Sequence, residues 1–584
     1  MAEILTSQVD LPGLMTVLGN HLYSTPEVAV RELVQNAHDS CVRRQLEDPA
    51  PFQPRIRVAL ERQRLIIQDN GAGLTRAEII EYLATVGRGY TGKLRAQGGP
   101  SNLIGAFGLG FLSAYFVARV VELHTVSYQC PEEAWHFTSK GSENFILQAG
   151  APAPVGTRVE LHLNDQARAL GELAHLHDLL SDYCGLLSVP IELEGRPINL
   201  QAPWREPEGN PLQQRHRELE FARQYERKFR PLCVLPVPAP GPLQGLLWIQ
   251  DGWSYGTSDH RNLSVYVRGM LISHDSRDLL PEWAGIIGGV VESSLLTPTA
   301  SREDLQRDAV FGEAQQQLRR ALVEGLAQLA ERHGDTWQQV LQRHSEALLG
   351  AALCEPPLFD LLAHQLRVPT SEGDLTAPQI LQRSQGKMVV SLGRQGGYEE
   401  VLFRALRQPV VLGVRYGALA FCSLYCERRG GKLVQLGTAE GNRNFFRPAQ
   451  LPEADDERLR ALFAAPGQQV VLARFQPASL PVVLVPDREV ALKKRVQNTP
   501  MNAKLLTLVK LYTDQVDDSH TACLYVNLDC PLIGKLLSSP RAADMAVLLR
   551  CLGELMSSRS DDAVPIDASQ TLEHLSQVLD RMCD

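Results

Sequence analysis

The stretch RELVQNAHDS, residues 31–40, sets an acid, an amide and an acid at Glu32, Asn36 and Asp39. At about 100° per residue, helical spacings of four and three bring all three into a narrow arc of one face. Val30, Leu33, Val34, Ala37 and Cys41 line the other side. A solvated face accounts for such a pattern in many amphipathic helices; a polar set facing a ligand accounts for it too, and the rest of the chain has to decide. The helix is expected over 27–46, with Thr25 as its cap and Pro26 at its first position, after a shorter helix over 14–23.

Downstream, RIRVALERQRLIIQDNGAG predicts two strands joined by a turn, the second ending at Asp69. RAEIIEYLATV predicts a short helix, and the glycine-rich 87–102 a loop or lid. GAFGLGFLSAYFVARVVELHTVSY begins as a glycine loop, continues as a buried helix and becomes a strand. GTRVELHL is a further strand, followed by a helix to about residue 185 and the strand VPIELE. Helices packed on one sheet make this an α+β sandwich of about 200 residues. The Pro-rich 201–211 reads as a linker. A second α/β region, 212–345, carries the strands LQGLLWIQ and LSVYVRGMLI and a long helix near 303–333. A third, 346–450, carries GKMVVSL and PVVLGV. After the acidic LPEADDERLR, residues 451–584 end in two helices with Leu/Met/Val stripes, RAADMAVLLRCLGELMSS and SQTLEHLSQVLDRMCD, whose apolar face suits a subunit interface or packing within their own domain.

A chain of 584 residues is too long for one core and implies about three or four domains. Its net charge of −9 argues against a duplex-DNA binder, which needs a basic surface. The first residues lack a basic segment followed by an apolar core, so no signal peptide is expected, and no apolar run is long enough to span a bilayer. The 11 cysteines are scattered, mostly in apolar surroundings, and read as reduced thiols of a cytoplasmic protein. Cys422 and Cys426 lack the second pair a metal site would need.

Three segments carry the chemistry. The helix supplies Glu32, Asn36 and Asp39. DNGAG, 69–73, follows an apolar strand; it reads either as a hairpin turn or as a site where Asp69 accepts a hydrogen bond from an exocyclic amine while Gly71 and Gly73 leave room for a flat base. An adenine offers that amine. GAFGLGF, 105–111, runs into a helix, and its backbone N–H groups can close on phosphate oxygens. Its G-x-x-G-x-G order is neither the dinucleotide fingerprint nor the P-loop.

Helix E-x-x-x-N, strand-end D-x-G-x-G and G-x-x-G-x-G before a helix, in that order, resemble the Bergerat-type (GHKL) ATPase superfamily. Within it, LMTVLGNHLYSTPEVAVRELVQNAHDS, IGAFGLGFLSAYFVA, GTRVELHLND and the stretch from Tyr266 to Gln306, with its PEW and SRE, resemble the ninety-kilodalton heat-shock chaperones of bacterial type. The resemblance is clear over roughly residues 4–330 and only an outline beyond. It implies an N-terminal Bergerat-type α/β sandwich ATPase domain over 1–200 and an α/β middle domain over 201–450, in subregions 212–345 and 346–450. A mixed C-terminal dimerisation domain over 451–584 completes it. It further implies ATP and Mg²⁺ as cofactors, non-native client proteins and a second copy of the chain as partners, and neither nucleic acid nor membrane. Glu32 matches the base that activates the attacking water, and Asn36 the Mg²⁺ ligand. Asp39 matches a support for the pocket, and Asp69 the adenine carboxylate. Gly73 and Thr157 match positions beside the base; Gly105, Phe107, Gly108, Gly110 and Phe111 match the phosphate-facing loop; Arg88 matches a lid cation. Arg302, with Gln306 as its companion, matches the middle-domain arginine that reaches the γ-phosphate.

Departures from the family pattern fall mostly around the lid: 87–102 is short, Arg88 stands for a lysine, Ala106 for a glutamine, His38 for a small residue and Tyr82 for an asparagine. The sequence shows neither the charged linker nor the acidic tail of eukaryotic members, so their tail-binding co-chaperones are not expected. Two other readings remain at this level: a nucleotide-gated scaffold with little hydrolysis, and a DNA-transaction ATPase of the MutL or gyrase kind. The latter groups place a lysine, rather than an arginine in an SRE context, on the γ-phosphate.

Overall fold

In a computed structural model, which describes residues 25–83, 104, 110–140, 144–207, 209–252, 259–299, 302–393, 397–488, 490, 493, 519–558 and 568–583, the opening helix runs over Glu27–Glu47 (α1). Thr25 does not cap it through its side chain. Pro26 already has helical angles, and the Thr25 carbonyl takes the Val28 amide at 3.3 Å. The helix read over 14–23 and the lid 87–102 lie outside the described residues.

The chain divides into two compact units, 1–253 with 259–337, and 338–584 with 254–258. The first unit holds two sheets. One has eight strands: β1 Ile56–Glu61, β2 Arg64–Asp69, β3 Ala118–Val126, β4 Ala134–Ser139, β5 Phe145–Ala149, β6 Gly156–Leu163, β7 Ile191–Leu193 and β8 Arg196–Pro197. Their order is β5-β4-β3-β6-β2-β1-β7-β8. Neighbours are antiparallel except β1 and β7. Two-residue alternation gives the sheet a covered face and a wetter one. Ile56, Val58, Leu65, Ile67, Val121, Leu123, Val159 and Leu161 all face one core with Val30, Leu33 and Val34 of α1. Leu176, Leu179 and Leu180 of a second helix, Leu173–Cys184 (α2), join it. Burial of each large aliphatic side chain contributes roughly 1.5–3 kcal/mol, so this layer fixes where α1 lies over the strands.

The second sheet has order β12-β11-β13-β10-β9, with β9 Pro231–Pro236, β10 Gln244–Gln250, β11 Asn262–Val267, β12 Met270–Ser273 and β13 Ile287–Ser293. LSVYVRGMLI is thus a hairpin rather than one strand. Arg268 and Gly269 both have positive φ, 54° and 81°, the geometry of a tight two-residue turn. Helix Pro211–Tyr225 (α3) starts on an Asn210 cap, and Ala309–Arg332 (α4) on an Asp308 cap. Phe221, Ala222, Val234, Leu246, Trp248, Tyr266 and Val290 share a core between α3 and this sheet.

The second unit contains a five-stranded sheet drawn from residues 367–435 and a four-stranded sheet drawn from 447–527. Strands Lys387–Ser391 and Val410–Leu412 fall where GKMVVSL and PVVLGV placed them. The two closing helices occupy Ala542–Ser558 and Ala568–Cys583 and pack on one another. Leu552, Leu572 and Leu579 on them are about half exposed (50%, 51% and 48%).

Candidate functional site

Strand register builds one end of the site. Asp69 stands opposite Thr157, and Thr157 opposite Thr125. Being even steps from Ile67, Val159 and Leu123, all three side chains fall on the helix-covered face. The Thr125 and Thr157 hydroxyls lie 3.0 Å apart, and Thr125 Oγ1 also takes the Leu74 amide at 2.9 Å. Asp69 is buried beneath α1. Its Oδ1 accepts the Ser40 hydroxyl at 2.9 Å and the Gly71 amide at 2.8 Å. Burial pushes its carboxyl up to about 7, while those two donors and the Thr157 backbone pull it back.

DNGAG is not a hairpin turn, since the next partner of β2 is β6. Its glycines are demanded by the chain's own packing. A Cβ on Gly71 would meet the Ser40 carbonyl carbon at 2.4 Å, and one on Gly73, at φ +67°, would meet the Val126 oxygen at 2.0 Å. The loop therefore threads between α1 and β3 and carries Asp69 against the helix.

Along α1 the solvated-face reading fails. From Val28 to Asp39 only Asn36 is exposed; Arg31, Glu32, Gln35, His38 and Asp39 are all buried. Buried polar groups need partners, and most of these have them within the protein. Both Asp39 oxygens receive the Ile104 amide, at 2.9 and 3.1 Å, tying α1 to the residue that precedes the glycine loop. His38 spans from Asp39, at 3.3 Å, to the Ser188 hydroxyl, at 3.1 Å. Gly110 passes so close to Glu32 that a Cβ there would lie 2.6 Å from Oε2. The Asn36 side chain has no hydrogen-bond partner among the described residues. Its neutral amide oxygen, beside Glu32 on the same face, suits a hard cation that keeps several of its own waters.

Arg302 comes from 270 positions away. It sits in a loop closed by Arg302 N to Thr299 O (3.0 Å), Thr299 N to Asp304 O (2.9 Å) and Gln306 N to Thr297 O (2.8 Å). Its own φ is +57°, a left-handed conformation uncommon outside glycine. The guanidinium Nη1 meets Glu32 Oε1 at 3.2 Å and also donates to Gln35 Oε1. Both partners of the ion pair are nearly buried, with side chains 12% and 8% exposed. Arg31 lies 3.7 Å from the same Glu32 oxygen. Gln306 instead donates to its own loop, at the Pro298 carbonyl (3.2 Å). Arg31, Gln35, Arg302 and Gln306 line a cavity of about 200 Å³ with Ile104 and Met270.

Three participants escaped the sequence reading. Ser40 lies two helical turns past Glu32, and the face drawn through Glu32, Asn36 and Asp39 could have included it. Thr125 follows from continuing the inward alternation of Val121 and Leu123. Gln35 carried no local signal, because its partner is distant in sequence. The Phe111 ring turns into the core, edge-on to Tyr115 and Phe137 at centroid distances of 6.0 and 6.2 Å. Arg88, Gly105, Phe107 and Gly108 lie outside the described residues.

Comparison with known proteins agrees with this geometry. Residues 23–153 match the family described as histidine kinase-, DNA gyrase B- and HSP90-like ATPase, and residues 242–375 match the family described as Hsp90 protein. These spans hold Glu32 to Gly110 and Arg302 respectively. Chaperone protein HtpG of Oleidesulfovibrio alaskensis is 29% identical over 358 residues, covering 58% of this chain and 56% of that protein. The Rhodospirillum rubrum protein of the same name is 30% identical, covering 56% of each. The mitochondrial heat shock protein 75 kDa of Bos taurus is 29% identical over 54% of this chain and 47% of its own length. The chain spans about half the length of these curated relatives. Among the described residues no helix is long and apolar enough to cross a membrane. One matched segment carries the helix and strand-end residues and the other the arginine that meets them, so over both segments the chain is similar to Hsp90 proteins.

Proposed function

We propose that the chain is an ATP-dependent molecular chaperone. It binds and hydrolyses ATP to close a dimeric clamp around unfolded or partly folded clients in the cytoplasm. Residues 1–200 hold the nucleotide, 201–450 supply Arg302 and client contacts, and 451–584 dimerise. The observation that carries this reading is the Arg302–Glu32 contact of 3.2 Å. In it a cation from the second sheet's flank meets the carboxylate that we assign to take a proton from water.

In this scheme Asp69 accepts the adenine amine, with Gly73 and Thr157 beside the base. Asn36 holds Mg²⁺, which when bound neutralises phosphate charge. Asp39 fixes Ile104, ahead of the glycine stretch 105–111 that we assign to the phosphates, and we assign Arg88 as a lid cation. Glu32 accepts the proton of the attacking water. Arg302 shifts between Glu32 and the γ-phosphate, and Gln306 steadies its loop. Because the nucleotide must offer Arg302 a better partner than Glu32 and Gln35, closure is driven by the difference in contacts between the two states.

Steady-state ATPase with and without an unfolded client tests the reading. Glu32→Ala is expected to lower turnover by on the order of 10²–10⁴-fold, with ATP still bound in calorimetry. Equal turnover in wild type and variant would refute both the catalytic role and the chaperone cycle built on it. Dimerisation has its own test at the half-exposed leucines of the last two helices. Leu572→Glu combined with Leu579→Glu is expected to halve the sedimenting mass; an unchanged mass would place the interface elsewhere.

A further inference from the structure

The wetter face of the eight-stranded sheet carries a cluster unrelated to the nucleotide row. Glu122 and His124 stand two apart on β3, His136 lies directly opposite His124 on β4, and His162 comes from β6. Alternation places all four on the side away from α1. The His124 and His136 rings stack at 4.1 Å with planes 10° apart. Glu122 Oε2 lies 3.4 Å from His136 Nε2 and 4.0 Å from His124 Nε2. One ligand atom from each of the three lies within 4.8 Å of the other two. Tetrahedral zinc, with bonds of about 2.0–2.1 Å, needs neighbouring donors roughly 3.3 Å apart. The spacing therefore requires only small side-chain rotations.

Neighbouring side chains orient the candidate ligands. Glu122 Oε1 accepts from His162 Nε2 at 2.9 Å, which orients the carboxylate and leaves Oε2 toward the imidazoles. Gln148 Nε2 lies 3.3 Å from His136 Nδ1; a flip of that amide would put its oxygen there, hold the Nδ1–H tautomer and free Nε2. The Thr138 hydroxyl, 3.3 Å from that Nε2, is the group a cation would displace. Arg158 is engaged by Glu160 at 2.7 Å rather than by Glu122.

We propose that Glu122, His124 and His136 form a binding site for a divalent transition metal, zinc by donor type, oriented by His162 and open to water at its fourth position. Two imidazoles and one carboxylate suit zinc better than magnesium. The ion would pin β4 to β3 without touching the Asp69 row on the opposite face.

Calorimetry of the full chain with Zn²⁺, and separately with Mg²⁺, tests this in wild type and in His124→Asn/His136→Asn. Wild type is expected to bind one more equivalent of Zn²⁺ than the variant, at micromolar or tighter affinity, with no such difference for Mg²⁺. Co²⁺ in place of Zn²⁺ is expected to give visible bands in wild type without a thiolate charge-transfer band, and to lose them in the variant. Unchanged circular dichroism and unchanged ATP binding show that the variant is folded. Equal Zn²⁺ stoichiometry in the two proteins, or a thiolate signature for the Co²⁺ site, overturns the proposal.

Discussion

Arg302→Ala is expected to slow ATP turnover by on the order of 10³-fold, the lower end of what an arginine delivered to a phosphoryl-transfer site contributes. The same substitution should change ATP affinity far less, because Arg302 contacts Glu32 and Gln35 rather than the Asp69 end of the site. A chain ending near residue 200 keeps Glu32, Asn36 and Asp69 and is expected to be as slow as Arg302→Ala. Removing the arginine also strands a buried carboxylate, a change that can itself destabilise, although Arg31 remains 3.7 Å from Glu32. Single-turnover rates should therefore be read beside thermal unfolding. Full activity in the fragment would show that hydrolysis needs nothing from beyond the first sheet.

Asp69→Asn is expected to weaken ATP binding by at least about 10²-fold, since it replaces a charge-assisted hydrogen bond by a clash of donors. The direction of the amide is decided by the protein. The Gly71 N–H points at Oδ1 from 2.8 Å and cannot turn away, so an asparagine must place its oxygen there and its NH₂ toward the base. Stability should move the other way. A carboxyl whose pKa is raised to about 7 favours the folded state when protonated. That stability is fully present below the unfolded carboxyl pKa and is lost as pH rises through about 7, a loss on the order of 4 kcal/mol. The asparagine lacks this dependence, so the variant should unfold at a temperature no lower than wild type at pH 8 while failing to bind nucleotide. Micromolar affinity retained in calorimetry would remove Asp69 from the adenine role.

Local patterns carried much of this. The helix over 27–46, the strand ending at Asp69 and the strand GTRVELHL are short-range consequences of side-chain period, and the structure reproduces them within a residue or two. What depended on distant pairing was less visible. Asp69, Thr157 and Thr125 become a row only once three strands are in register, and nothing near Thr125 announces its neighbours. The hairpin at Arg268–Gly269 had a local mark, the glycine inside LSVYVRGMLI, which a reading of that run as one strand passes over. The approach of Arg302 to Glu32 was reached through family resemblance alone, because no local rule links residues 270 positions apart. The cluster of Glu122 and three histidines had no motif spacing either; it exists only across strands.

The left-handed backbone at Arg302 bears on which residues this loop tip tolerates. A non-glycine residue there costs about 1–3 kcal/mol that glycine would avoid. Arg302→Gly relaxes the main chain but deletes the guanidinium that partners buried Glu32, so the backbone gain is offset by a stranded carboxylate. At this position the main chain's preference for glycine and the site's need for a cation compete.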